Sequence, residues 1–310
     1  MRPRDRELAN RLCDGLQVYS QRRRVLPGID APIVFQVLIE QLLASVHRVE
    51  YARRLAQMEL SACRTDPNDV RFDPLKAAAI HMRRGNTEEA FWLVFLFVHF
   101  GKHATGGWRY LREVYGRLGS GRLWDWVSTS SDPSAFRVWL DTHEPELRRK
   151  GVPGGFGNHR KYESLSGHSV NGTGAVVGSY VNWVLTAGSH TALAQNAIAE
   201  AGGNRQGAFD RLYKSMAASV LRFGRLARFD YLTMLSKLGL AEIEPGSTYV
   251  HGSTGPLRGA RQLFGGKYAA RELDHWLVEL DRELNVGMQV LEDAICNWQK
   301  SPSKFVPFRG

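Results

Sequence analysis

An aspartate stands where an apolar residue belongs. Between Ser215 and Leu238 the residues Met216, Val220, Phe223, Ala227, Tyr231, Met234 and Leu238 recur at threes and fours, the spacing of one helix face. At about 3.6 residues per turn, Asp230 falls in line with Phe223 and one turn from Ala227 and Met234. A carboxylate in such a stripe must be paired, protonated or used, because an unpaired buried charge is costly. An N-cap or a structural ion pair would account for it. A working acid would also fit, since burial raises a carboxyl pKa and makes its ionisation sensitive to substrate. Arg222, Arg225 and Arg228 project from the flank and far side of the same helix.

Two further segments carry chemistry-bearing residue types. From Glu244 to Arg261, Gly246, Ser247, Thr248, Gly252, Thr254, Gly255 and Gly259 make a hairpin that leads into a helix beginning near Pro256. Exposed amides at that helix start, with Arg258 and Arg261, would form a phosphate-binding device. From Met288 to Lys300, Met288, Leu291, Ile295 and Trp298 give one apolar stripe. Asp293, Asn297 and Lys300 line up on a neighbouring face at i, i+4 and i+7. A solvated face gives that pattern; so does an acid, an amide and an amine converging on a cleft to read a base edge.

The elements that must position these residues read as helices throughout. Pro32–Gln57 is a long amphipathic helix begun by Asp30 and Pro32, and Phe72–Arg84 is another. Asn86-Thr87-Glu88-Glu89 has the capping-box pattern and opens a very apolar core helix from Glu88 to Gly101. Shorter helices follow, and Ser179–Glu200 and Phe209–Leu238 return to helix. No run alternates with period two, so the expected class is all-α. Between them, Lys150–Gly178 is broken by eight glycines and holds His159, Lys161 and Tyr162. It reads as an inter-lobe loop or as a donor-rich loop that closes over a phosphate backbone or a flipped base. It divides the chain into regions 1–150 and 151–310, either as separate lobes or interleaved as one fold. Ser301–Gly310 reads as a loose tail.

Forty-one Lys and Arg against 31 Asp and Glu leave a formal charge of +10, which suits a polyanion. The excess is concentrated: Arg205–Arg271 holds eleven basic residues against four acidic ones. No segment reaches the roughly 20 apolar residues of a membrane span, and Met1-Arg-Pro-Arg-Asp-Arg is unlike a secretory signal, so a cytoplasmic protein is expected. Cys13, Cys63 and Cys296 give no zinc spacing and no disulfide framework; neither metal nor cofactor is implied.

The three segments Phe223–Leu232 (FGRLARFDYL), Glu244–Phe264 (EPGSTYVHGSTGPLRGARQLF) and Leu291–Lys300 (LEDAICNWQK), in that order, resemble the alpha-glutamyl/putrescinyl thymine pyrophosphorylase superfamily, in its third clade. The resemblance runs from about Gly151 onward. It implies the two-lobed helical fold of helix-hairpin-helix DNA glycosylases, acting on double-stranded DNA with hypermodified pyrimidines; the oligomeric state is left open, with a monomer expected. By position, Asp230 would be the acidic centre. Gly246, Ser247, Thr254, Gly255 and Arg258 would hold the backbone, and Asp293, Asn297 and Lys300 would line the base pocket. Trp183 or Tyr162 would stack on the flipped base, with His159, Lys161, Thr248, Arg225, Arg228 and Arg261 adding DNA contacts. The glycosylases carry an LPGVG-like hairpin upstream of their aspartate. None precedes Asp230 at that distance, whereas Asp274 follows Gly255 at about that distance, so the acid stays open among Asp230, Asp274 and Asp293, with Asp230 favoured. The expected activity is excision of a bulky modified pyrimidine, a step suited to defence against phages. The alternatives are a transferase that displaces pyrophosphate from an activated hydroxymethyl pyrimidine, and a binder without catalysis.

Overall fold

The computed structural model describes residues 3–308. Fourteen α-helices follow one another among them: α1 (Pro3–Arg22), α2 (Pro32–Leu55), α3 (Pro74–Arg83), α4 (Thr87–Phe100), α5 (Arg109–Tyr115), α6 (Trp126–Ser131), α7 (Pro133–Leu147), α8 (Thr173–Leu185), α9 (His190–Glu200), α10 (Arg205–Ser219), α11 (Arg225–Leu238), α12 (Gly255–Phe264), α13 (Ala270–Leu284) and α14 (Met288–Trp298). The class is all-α, with one isolated bridge, His103 to Gly107, among the described residues.

The helices sort into two compact units that do not follow the expected division at residue 150. One joins the segment up to Ala52 with the segment from Pro245; the other runs from Arg53 to Glu244. The cause is patterning at the start of the chain. Leu12, Leu16 and Tyr19 form a fully buried stripe on α1, and α1 packs on α13, where Leu273, Leu277, Leu280 and Leu284 are equally buried. Each such leucine contributes about 1.5–3 kcal/mol relative to exposure. Tyr19 satisfies its buried hydroxyl by donating to the Trp276 carbonyl at 3.3 Å.

The second unit is organised around α4, whose Trp92, Leu93, Val94 and Phe95 are inaccessible on every side of the helix. Helices α3, α5, α6, α9 and α11 pack against it, as expected of a helix apolar all round. The capping box read at its start is absent: Asn86 makes no side-chain cap bond. The two glutamates serve neighbouring elements instead. Glu88 accepts from the backbone N–H of His190 (2.8 Å) and Thr191 (3.0 Å) and so caps α9. It also meets His190 Nδ1 at 2.7 Å; His190 Nε2 lies 2.7 Å from the Tyr180 hydroxyl, itself 2.9 Å from that of Tyr231. Glu89 accepts from the Tyr115 hydroxyl (2.6 Å) and the Trp126 N–H (2.7 Å).

These adjacent carboxyls titrate in opposite directions. Burial raises Glu88, but hydrogen bonds from His190 and Thr191 outweigh it and hold the group at about 2. Burial pushes Glu89 up to about 7, with Asp125 adding to the rise against the bonds from Trp126 and Tyr115. Between 4.5, the ordinary value, and about 7, the folded protein therefore holds a proton on Glu89 that the unfolded chain releases. The stability contributed by Glu89 is complete below 4.5 and is lost as pH rises to 7. That contributed by Glu88 is complete above 4.5 and is lost as pH falls toward 2. Denaturant titrations of wild type and Glu89→Gln are expected to diverge from pH 5 to 8, the variant gaining relative stability as pH rises. Parallel curves over that range would contradict the assignment.

Candidate active site

Helix α14 carries two stripes. Leu291, Ala294, Ile295 and Trp298 are buried in the core of the first unit, while Asp293, Asn297 and Lys300 form a second row, and the structure joins that row into one network. Asn297 Nδ2 donates to Asp293 Oδ1 at 2.8 Å, and Lys300 Nζ donates to Asn297 Oδ1 at 2.9 Å. From α2, Ser45 Oγ donates to Asp293 Oδ2 at 2.7 Å, and Arg48 reaches the same oxygen through Nε (3.0 Å) and Nη2 (2.6 Å). Ser45 is fully buried, whereas the Arg48 and Asp293 side chains keep 30% and 28% exposure. The result is a carboxylate fixed by donors on two helices with an edge still open to a ligand. A carboxylate held in place by donors in this way can stabilise positive charge that develops on a substrate.

Ser45 and Arg48 were not among the residues singled out from the sequence, although a signal is there. Gln41, Ser45 and Arg48 stand at i, i+4 and i+7 on a helix otherwise rich in apolar residues, the same spacing as Asp293, Asn297 and Lys300. Gln41 is also buried, and donates its amide to the Val306 carbonyl at 3.0 Å. The segment after α14 thereby runs back along α2 and is not loose up to Phe308. The Phe308 ring lies 5.6 Å from the Arg48 guanidinium carbon and 5.9 Å from Lys300 Nζ.

Helix α14 is held to α12 by glycine. A Cβ built on Gly259 would stand 2.3 Å from the Ile295 carbonyl oxygen, and one on Gly255 would stand 2.8 Å from Cys296 Sγ. These glycines let the two helices approach closely, a different task from the phosphate contact expected of Gly255. The start of α12 likewise offers few free donors: Pro256 has no N–H, and Ser253 Oγ accepts from Leu257 N at 3.1 Å. Thr248 is fully buried and donates to Asp274 Oδ1 (2.7 Å), which also accepts from Val250 N (3.1 Å). Asp274 thus anchors the loop before α12, and Ser247 Oγ accepts from Tyr249 N within that loop, next to half-buried Gly246. Thr254, Arg258 and Arg261 remain exposed.

The other expected residues lie in the second unit. The helix read from Ser215 to Leu238 is two helices, for α10 ends at Ser219 and α11 begins at Arg225. Arg222 between them has φ 56°, so Phe223 and Asp230 do not share a helix face. Asp230 is half-buried, not enclosed, and lies within electrostatic reach of the Arg160 guanidinium. Burial is the main cause that lowers the Arg160 pKa. Arg225 and Arg228 place their guanidinium carbons 4.9 Å from the Phe229 ring centre and 4.5 Å from that of Tyr213. Trp183 is 3% exposed and donates to Ser215 Oγ at 2.9 Å, a core side chain; Tyr162 is 80% exposed beside Lys161. His159 and Lys161 are exposed on a glycine-rich segment that is packed down: Gly157 N donates to the Phe100 carbonyl at 2.7 Å, and a Cβ on Gly167 would stand 2.0 Å from the Arg137 carbonyl oxygen.

The family model described as alpha-glutamyl/putrescinyl thymine pyrophosphorylase clade 3 matches residues 34–310. The chain belongs to this family. Membership places it among enzymes of modified thymine, in the metabolism of modified DNA bases. The clade 3 match reaches further toward the start than the motifs after Gly151, and it takes in Gln41, Ser45 and Arg48 together with the α14 row. No curated protein and no solved structure matches the chain. Among the described residues of this clade 3 member, no helix is long and apolar enough to cross a membrane.

Proposed function

We propose that the protein is a DNA N-glycosylase that excises a bulky modified pyrimidine, such as a glucosylated hydroxymethyl pyrimidine, from double-stranded DNA after flipping it from the helix. The observation that carries this reading is Asp293, fixed by Ser45, Arg48 and Asn297 with an open edge. In the reaction the bond from sugar C1′ to the base nitrogen breaks and its electron pair leaves with the base. The Asp293 carboxylate lies against the oxocarbenium-like sugar and offsets its charge. Water then adds to C1′ and releases its proton through the same carboxylate. Arg48 and Asn297 keep the acid in place, and Lys300, oriented by Asn297, faces the departing base. Arg258 and Arg261 on the exposed face of α12 would neutralise phosphates, giving binding a steep salt dependence.

The family description is also compatible with a second reading, in which an amine displaces pyrophosphate from an activated hydroxymethyl pyrimidine. Arg48 and Lys300 would then receive the diphosphate, and Asp293 would stabilise cationic character at the exocyclic carbon. Incubation with genomic DNAs of different base modification, followed by mass spectrometry of the small-molecule fraction, separates the two. Free modified base with abasic sites is the expected result. Pyrophosphate with a heavier base supports transfer, and intact DNA with a gel shift leaves only binding.

A further inference from the structure

The Asp293 site leaves the glycine-rich segment between α7 and α8 without a task. Residues 158–163 of that segment, in the second unit, form a turn whose tip and base differ. At the tip, Tyr162 is 80% exposed, with Lys161 Nζ 5.0 Å from its ring centre. At the base, the Arg160 and Glu163 side chains are only 11% and 8% exposed. An exposed ring by itself is ordinary; an exposed ring on a turn clasped by buried charges is a preset surface. We propose that this turn docks an unpaired base of a DNA strand, the Tyr162 ring stacking on the base while Lys161 meets an adjoining phosphate. The inference rests on the reading that the protein flips a base from DNA, since flipping leaves the partner base without a mate.

The turn holds its shape before any ligand arrives. Arg160 donates through Nε to the His99 carbonyl at 3.2 Å and through Nη1 to the Arg222 carbonyl at 3.4 Å. Arg222 returns the contact, donating through Nη2 to the Tyr162 carbonyl at 3.3 Å. The Glu163 carboxylate takes both guanidiniums, that of Arg222 at 3.4 Å and that of Arg160 at 3.6 Å. Arg222 has φ 56°, which residues other than glycine rarely adopt, and from that conformation both its carbonyl and its guanidinium engage the turn. Beneath them, a Cβ on Gly157 would stand 2.8 Å from the Gly101 carbonyl carbon, so the two backbones are in close contact. Arg160 and Arg222 are thus engaged in the clasp, which leaves Lys161 to meet phosphate. A ring presented from a backbone already fixed loses little freedom on binding. Stacking also tolerates any base, because every base has a π-face.

The test measures binding of the full chain to a short single-stranded oligothymidylate and to a fully paired duplex of unmodified bases. Tyr162→Ala is expected to weaken single-strand binding by roughly 5- to 150-fold, the effect of losing one stacked base, and to leave duplex binding within about twofold. Tyr162→Trp should bind the single strand as wild type does or more tightly. Lys161→Gln should lower the slope of log Kd against log salt by about 0.7 on the single strand, the counterion released by one phosphate. Glu163→Gln separates the clasp from direct contact. It removes a negative charge, yet single-strand binding should weaken because the turn loosens; tightening would mean that the arginines grip phosphate themselves and would overturn the inference. So would single-strand affinity of Tyr162→Ala equal to wild type, equal losses on both DNAs, an unchanged slope for Lys161→Gln, or no single-strand binding by wild type. Tyr162 is exposed, so its variants are expected to fold, and failure of Tyr162→Trp to bind the single strand would also count against the inference. Base release is a separate readout. Strand binding lost in Tyr162→Ala, with no base released by wild type, would sink the glycosylase reading alone; base released by both, with equal strand affinity, would sink the turn alone.

Discussion

Replacing Asp293 by asparagine is expected to slow the chemical step by roughly 10²–10³, the range seen when one preorganised electrostatic group is removed from a reacting centre. Asparagine preserves the shape and its oxygen can still accept from Ser45 and Arg48, but its amide nitrogen takes the place of the oxygen that accepts from Asn297, so that bond is lost together with the charge. Because the Arg48–Asp293 pair is partly exposed, the cost to stability should be about 1 kcal/mol or less. Binding to DNA should be equal or tighter, since a negative charge near the phosphates is gone. Asp230→Asn and Asp274→Asn make the informative comparison. The first is expected to alter single-turnover rates by less than about tenfold; the second should lower the thermal midpoint through the loop held by Thr248 and Val250. If Asp230→Asn abolishes turnover while Asp293→Asn does not, the acid has been misplaced.

The second large effect is structural. Gly259→Ala should destabilise the unit that contains α12 and α14 by about 1–3 kcal/mol, the usual cost of forcing one extra carbon into a packed contact. The new Cβ meets backbone, with the Ile295 carbonyl carbon 2.8 Å away and its oxygen 2.3 Å away, so no side-chain rotation relieves it and the helices must part. Ile295 lies between Asp293 and Asn297, and the displacement passes directly to the network. Activity should therefore fall by more than the unfolded fraction explains. Gly178→Ala in α8 is the control: it has open space and a helical position, so it should be neutral or stabilising by up to about 1 kcal/mol. Equal denaturation midpoints for the two alanine variants would refute the close-packing role of Gly259.

Much of this was legible in the residues. The α14 row is visible as a polar i, i+4, i+7 series beside an apolar stripe, a pattern that a solvated face gives equally, and the core role of α4 follows from an unbroken apolar run. The partner row on α2 escaped because a long amphipathic helix explains its own polar residues without reference to another. Asp230 was misjudged for a physical reason: Val220 and Phe223 are buried although they lie outside any helix, so the apolar rhythm continues while the chain turns at Arg222. Phe308 was invisible because its placement depends on one hydrogen bond from Gln41 and two cations distant in sequence. The packing glycines Gly255 and Gly259 looked like phosphate-loop glycines because either task requires a missing side chain.

The most direct test of the Asp293 site is a photochemical map of where the base goes. An oligonucleotide with 5-iodouracil at the flipped position, irradiated on the intact protein and followed by peptide mass spectrometry, should attach within Gln41–Arg48 or Asn297–Phe308. Attachment confined to Tyr162, Trp183 or the helix that carries Asp230 would contradict the account.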